Sequence, residues 1–177
     1  FPIAIKFGFD TYMDFLAGAH AMDQHFIEAP AAENMPLTLA LTLIHNQQKH
    51  GITAKALIPY AHALRLLPEW LQQLEMESHG KSITMSGEAC DPTSPVVFGS
   101  AGSNSQHSYF QMLHQGSQII PVDFIAVQEP MSQLPEAKEH HEALIANCLA
   151  QAQALANGSH EENAYDSCPG NRPSNLL

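Results

Sequence analysis

The segment "QIIPVDFIAV" (Gln118–Val127) is the clearest strand in the chain and decides its fold class. It is short and apolar at nearly every position. Such a run fits a strand covered on both faces, as in a parallel sheet. Two shorter runs resemble it: "AKALIPY" (Ala54–Tyr60), continuously apolar after Lys55, and "VVFG" (Val96–Gly99). Helical patterns separate them. Ala61–Glu77 follows the first run, with Pro68 placed to open a fresh helix at its first turn. Gln106–His114 follows "VVFG" and stops at Gly116. Pro135–Asn157 follows the third run, with proline at its start, acids in its first turns and Gly158 at its stop. This alternation predicts an α/β domain with a largely parallel sheet and helices on both faces. Ligands in such sheets sit at the carboxyl ends of the strands, so the loops after Tyr60, Gly99 and Val127 are where a site is expected.

Two further helices precede the first strand. Tyr12–Phe26 carries Tyr12, Phe15 and Leu16 at i, i+3, i+4 spacing. "APAAENMP" (Ala29–Pro36) is a connector. Leu37–His50 is apolar over most of its first ten positions and is stopped by Gly51, which predicts burial on several sides. Ser82–Pro95 reads as a hairpin or loop, and the tail after Gly158 as polar and turn-rich.

Composition excludes several classes. The 177 residues suit one domain with a sizeable core, and 45% hydrophobic content is ordinary for a globular protein. Eighteen acidic against seven basic residues give a net charge of −11, which argues against a nucleic-acid partner. No apolar run approaches the roughly 20 residues a bilayer span needs, so no membrane role is expected. Cys90, Cys148 and Cys168 are far apart and odd in number, which is no disulfide framework. A reducing cytoplasm is the simplest compartment.

Three constellations invite chemistry. Glu75 and Glu77 stand in "LEMESHGKSI" (Leu74–Ile83), at the end of the helix whose stripe is Leu67, Leu71 and Leu74. At α-helical spacing Glu77 falls on the side of that stripe. An acid there stands against the helix dipole, and Lys81 follows just beyond the Gly80 stop. Composition alone favours a solvated helix end for both acids. The Gly/Ser-rich loop Gly99–Ser105 precedes a helix, so its N–H groups can cradle an anion or a sugar oxygen; the plainer reading is a capping loop with Asn104 or Ser105 as N-cap. The eleven histidines suggest a metal through His140–His141–Glu142 or His107/His114. Adjacent helical histidines diverge by about 100°, the second pair is two turns apart, and no HExxH occurs, so no metal site is expected.

Five blocks then stand in one order. They are "GAHAMDQHFIEAPAAENMPLTLAL" (Gly18–Leu41), "MESHGK" (Met76–Lys81), "GSNSQHSYFQMLHQGSQIIPVDFIA" (Gly102–Ala126), "HHEALIANCLAQAQAL" (His140–Leu155) and "PGNRPSN" (Pro169–Asn175). Their order and spacing resemble the glucose-6-phosphate isomerase (phosphoglucose isomerase) family over essentially the whole chain. The resemblance implies a doubly wound three-layer α-β-α sandwich of the sugar-isomerase (SIS) type, with a mostly parallel sheet of about five strands. It also implies one domain that is an internal piece of a longer polypeptide, well under half its length, covering most of the second sugar-isomerase domain. Helical lead-in segments over 1–52, a strand–helix core with the site over 53–127, and a long helix with a tail over 128–177 would compose it.

Glu77 matches the glutamate of the family's Met-Glu-Ser-Asn-Gly-Lys motif, which resembles the base that shuttles a proton between C1 and C2. His107 matches the histidine of Gly-Thr-Asn-Gly-Gln-His, which in the family crosses from the partner subunit of a homodimer and assists ring opening. Gly102, Ser103, Asn104, Gln106 and Lys81 are the substrate-binding candidates of the same motifs, with a phosphosugar as the implied partner. Glu75 is expected as a surface acid. The sequence departs from the family pattern at His79 (usually Asn), at Ser100–Ala101 (usually Glu-Pro), and at Ser103 and Ser105 (usually Thr and Gly). Aldose–ketose isomerisation through a cis-enediol suits these residue types: one carboxylate can take the proton and return it one carbon away, without metal or nucleotide cofactor. The competing expectations are a non-catalytic sugar-phosphate-binding or assembly domain on the same fold and, last, a metalloenzyme using the histidines.

Overall fold

The computed structural model describes all 177 residues, which divide into two compact units, Phe1–Gly51 and Ile52–Leu177.

The first unit is helical: α1 (Pro2–Phe7), α2 (Phe9–Glu28) and α3 (Met35–His50). Asn34 caps α3 by accepting from the Leu37 N–H at 3.1 Å, and its side-chain amide donates to the Phe26 carbonyl at 2.8 Å. Pro36 fits the first turn, so α3 starts two residues earlier than its apolar run. Gly51 ends it in the left-handed conformation at φ 63°. The expected burial of α3 on several sides is not found: only Asn46 is buried, and Leu41 and Ile44 are exposed. Its apolar residues run around the helix, and pairing with α2 covers one strip of them.

The second unit is an α/β sheet with helices, as the strand–helix alternation predicts. Its strands are β1 (Ala54–Pro59), β2 (Val96–Gly99), β3 (Val122–Ile125) and β4 (Ser174–Leu176). They form one sheet in the order β2-β1-β3-β4, every pairing parallel. The sheet has four strands where about five were expected. Its last strand was read as a turn-rich tail. Ala54 pairs with Val96, Ala56 with Val122, and Val122 with Ser174.

The helices of this unit are α4 (Leu67–Leu71), α5 (Gly102–Gln106), α6 (Phe110–Gln115) and α7 (Ala137–Asn157). A wide i→i+5 turn, Gln72–Glu77, continues α4. Right-handed crossovers in this strand order put α4 on one face of the sheet and α5, α6 and α7 on the other. The sequence follows suit. Alternate strand residues Ala56, Ile58, Val122 and Phe124 are fully buried and form one core with Tyr60, Phe110, Leu113, Cys148 and Leu155. The other strand face carries Lys55 and Asp123; Lys55 meets Glu75, the acid of the wide turn, at 2.8 Å and lies 3.9 Å from Asp123.

The predicted Gln106–His114 helix is two pieces. The chain turns helical at Gly102, breaks over His107–Tyr109, and resumes at Phe110. Ser82–Pro95 is the expected loop, with one antiparallel bridge between Ile83 and Ala89.

Candidate active site

Glu77 closes the wide turn and is exposed. The turn decides where it points. Each residue of an i→i+5 turn advances roughly 80°, against about 100° in an α-helix. From Leu67 and Leu71 onward this brings Glu75 over the sheet, moves Leu74 off it, and carries Glu77 to the outward side. Leu74 is accordingly 46% exposed, not the third member of a buried stripe. Glu77 does not share a face with that stripe. Glu75 is not a surface acid: its side chain is 18% exposed and its Oε1 lies 2.8 Å from Lys55 Nζ.

Gln72 and Met76 fasten the same turn to the edge strand β2. The Gln72 amide donates to the Val97 carbonyl at 3.0 Å, and the Val97 N–H points to the Met76 sulfur at 3.3 Å. The free edge of β2 is thus covered at Val97.

Beyond Glu77 the chain reverses at Gly80, whose N–H donates to the Met76 carbonyl at 3.0 Å. A Cβ at Gly80 would strike that carbonyl, so the close approach needs glycine. Thr93 clamps the reversal from the neighbouring loop. Its hydroxyl accepts from the Lys81 N–H at 3.1 Å and lies in donating reach of the His79 and Lys81 carbonyls. Lys81 Nζ donates to the Glu77 carbonyl oxygen at 3.2 Å, and Ser78 Oγ stands 3.3 Å from the Glu77 carboxylate. Family position 79 is therefore engaged through its backbone, and the exposed His79 side chain takes no part in the clamp.

The Gly102–His107 segment lies elsewhere, after the carboxyl end of β2. Tyr60 directly follows β1 beside the reversal of chain order between β1 and β3, and its N–H donates to the Ile125 carbonyl at 2.7 Å. Gly102 is buried against the Tyr60 ring, where any side chain would collide with it. Gln106 donates its amide to the Tyr60 hydroxyl at 2.7 Å. Burial pushes the Tyr60 phenol above its ordinary range, and the Gln106 hydrogen bond offsets part of that. Ser103, Asn104 and His107 are exposed. Neither Asn104 nor Ser105 caps α5. Ser105 is fully buried, with Oγ 3.0 Å from the Ala101 carbonyl and 2.9 Å from that of Gly102. That local bonding lets serine stand where the family usually has glycine.

The structure thus makes two groups: Glu77 with Lys81, and Gly102 and Gln106 with Tyr60. α4 and the wide turn run back from the carboxyl end of β1 to Lys55 near its amino end. Glu77 therefore lies away from the strand ends where ligands were expected, and no hydrogen bond joins it to His107.

The statistical model of the family described as "Phosphoglucose isomerase" matches residues 1–176. The chain belongs to the phosphoglucose isomerase family. The glucose-6-phosphate isomerase of Albidiferax ferrireducens is 49% identical to it over 99% of this chain and 33% of its own length. Glucose-6-phosphate isomerase 1 of Chromohalobacter salexigens is 50% identical over 99% of this chain and 32% of its own length. A crystal structure of a glucose-6-phosphate isomerase from Chlamydia trachomatis superposes with a TM-score of 0.88 at 37% identity, over 98% of this chain and 34% of that one. The chain spans about a third of the length of the curated relatives it matches. No helix is long and apolar enough to cross a membrane.

Tyr60, Thr93, Lys55 and Asp123 escaped the sequence reading. Tyr60 and Asp123 sit inside apolar strand runs, and Thr93 lies in a loop without a motif. The glycine of the family motif at Gly80 was the one signal of a close backbone approach there.

Proposed function

We propose that this phosphoglucose isomerase segment carries the proton shuttle of an enzyme interconverting glucose 6-phosphate and fructose 6-phosphate. The observation behind this reading is the presentation of Glu77. The chain on either side of it is held by the Gly80–Met76 bond and by Thr93, Lys81 bonds its carbonyl, and the residue is exposed, so its carboxylate can meet a substrate. In the open-chain aldose the Glu77 carboxylate takes the proton from C2, and the electron pair moves to make a cis-enediolate with its charge on O1, to which the C2 hydroxyl proton passes. Its carboxylic acid then returns the proton to C1, giving the ketose. A positioned base of this kind contributes about 10²–10⁴-fold. The remainder comes from stabilising the enediolate oxygens and from binding energy of the remote phosphate.

Lys81 beside the Glu77 carbonyl supplies a positive charge on the substrate side of the turn. The N–H groups that open α5, at Gly102, Ser103 and Asn104, stand apart from Glu77 of the same chain; together with His107 they suit the sugar or phosphate oxygens of a substrate held across a subunit interface. Gln106 extends that surface. His107 serves ring opening in the partner subunit of a homodimer; its exposure and its separation from Glu77 in one chain support that role. The compartment is the cytoplasm, in keeping with three free cysteines, and the pathway is glycolysis and gluconeogenesis.

The test is Glu77→Gln in the protein at its natural length. Exchange of the substrate C2 proton with solvent should fall by about 10²-fold or more. Near-normal exchange in that variant would overturn the assignment of the base.

A further inference from the structure

The wide turn and the Lys55–Glu75 pair depend on each other. In an α-helical continuation Glu75 would sit roughly 60° off the middle of the Leu67–Leu71 face, rather than directly over the sheet. Lys55 Nζ would then lose its 2.8 Å partner and keep only Asp123 Oδ2 at 3.9 Å. The Lys55 and Glu75 side chains are 13% and 18% exposed, and an enclosed pair of this kind is costly to break by removing one partner. Asn175 Nδ2, donating to Asp123 Oδ1 at 2.7 Å, ties the second carboxylate to β4. The network therefore spans β1, β3, β4 and the turn. Its geometric consequence falls two residues further on, at Glu77, which the same rotation carries outward. Wide turns of this type recur at functional sites, where one extra residue per turn re-aims a side chain.

We propose that Lys55 and Glu75 are positioning residues for Glu77: their ion pair holds the Gln72–Glu77 turn in its wide form and so fixes the direction in which the Glu77 carboxylate is presented. This rests on the reading of Glu77 as the base. Neither Lys55 nor Glu75 touches substrate in this scheme.

The test uses the protein at its natural length with glucose 6-phosphate as the probe, below the melting temperature of every variant. Lys55→Met and Glu75→Gln should each lower kcat about tenfold or more with KM within about twofold, because a misaimed base loses rate rather than binding. Lys55→Arg should recover kcat to within about threefold, since it keeps the charge and the reach. Removing one partner strands a buried charge, so Lys55→Met/Glu75→Met serves as the second variant. It removes both charges, should fold, and should still have the lowered kcat. Variants that melt earlier but run at the full rate, or a double variant with wild-type kcat, overturn the proposal. Glu77→Gln run alongside separates the two readings. If it exchanges the C2 proton normally, the base assignment fails and the positioning role with it. If it is inactive while the Lys55 and Glu75 variants are fully active, the positioning role alone fails.

Discussion

The Gln106 amide donates to the Tyr60 hydroxyl at 2.7 Å across a contact that exists only because residue 102 has no side chain. Helix α5 and the end of β1 are therefore joined twice, once by a hydrogen bond and once by backbone against ring. The two can be separated. Tyr60→Phe keeps the ring and should cost about 1 kcal/mol. Gly102→Ala drives a methyl into a ring that is itself fully buried, and should cost about 1–3 kcal/mol. Denaturant unfolding of the two variants checks the order, Gly102→Ala being the worse.

Two buried groups make the fold sensitive to alkali. Burial pushes the Cys148 thiol from 9.0 up to about 11. Burial also raises Tyr60 above 10.0. In both cases the native state favours the protonated form. The contribution to stability is thus complete below the unfolded-state value and declines as pH rises towards the folded one. For Cys148 the decline runs over pH 9 to 11 and amounts to about 3 kcal/mol. Melting temperature should fall across that window, and Cys148→Ala should flatten the fall. Native Cys148 should also resist alkylation, while the less buried Cys90 and Cys168 react first.

The first three strands were legible because each is a short apolar run; β1 and β3, central in the sheet, are largely buried, while edge strand β2 buries Val97 and leaves Val96 exposed. β4 was not: Ser174 and Asn175 look like turn residues, and what makes them a strand is the unpaired edge of β3. Helix periodicity failed where it assumed i→i+4 bonding throughout. Nothing in the composition of Gln72–Glu77 announces the wider turn, so α-helical spacing puts Leu74 in one stripe with Leu67 and Leu71 and leaves Glu75 as a surface acid, whereas Leu74 is 46% exposed and Glu75 is enclosed against Lys55. Burial of α3 was overread because an apolar sequence specifies a demand for cover, not its supply. Glu77 and His107 stand out as candidates only through the motifs, since spacing alone favours a solvated helix end for Glu77.

Arg172 is a buried cation whose partners are carbonyls rather than carboxylates. Its two terminal nitrogens donate to Gly116 at 2.7 Å and Gln118 at 3.2 Å, closing the turn that feeds β3 against the residues that feed β4. A lysine offers a single nitrogen in place of the guanidinium's rigid fork, which here sets one nitrogen on each carbonyl. Arg172→Lys should destabilise by about 1–3 kcal/mol, measured by denaturant unfolding.

The clamp on the Glu77 turn gives a prediction about rate. Thr93 reaches both sides of Gly80: it accepts from the Lys81 N–H and lies in donating reach of the carbonyls of His79 and Lys81. Thr93→Val keeps the shape and removes the hydroxyl, leaving the reversal free to open. Thr93→Ser keeps the hydroxyl and removes a methyl. Because Lys81 and Glu77 lie on the two limbs of this reversal, loosening it should blur the placement of the proposed base relative to its neighbouring cation. In the protein at its natural length, Thr93→Val should lower kcat by about tenfold at temperatures where it remains folded, with Thr93→Ser near wild type. Gly80→Ala should lower it further, since its methyl meets the Met76 carbonyl and must displace the backbone beside Glu77. Equal rates for Thr93→Val and Thr93→Ser would show that the hydroxyl serves the loop alone and not the presentation of Glu77.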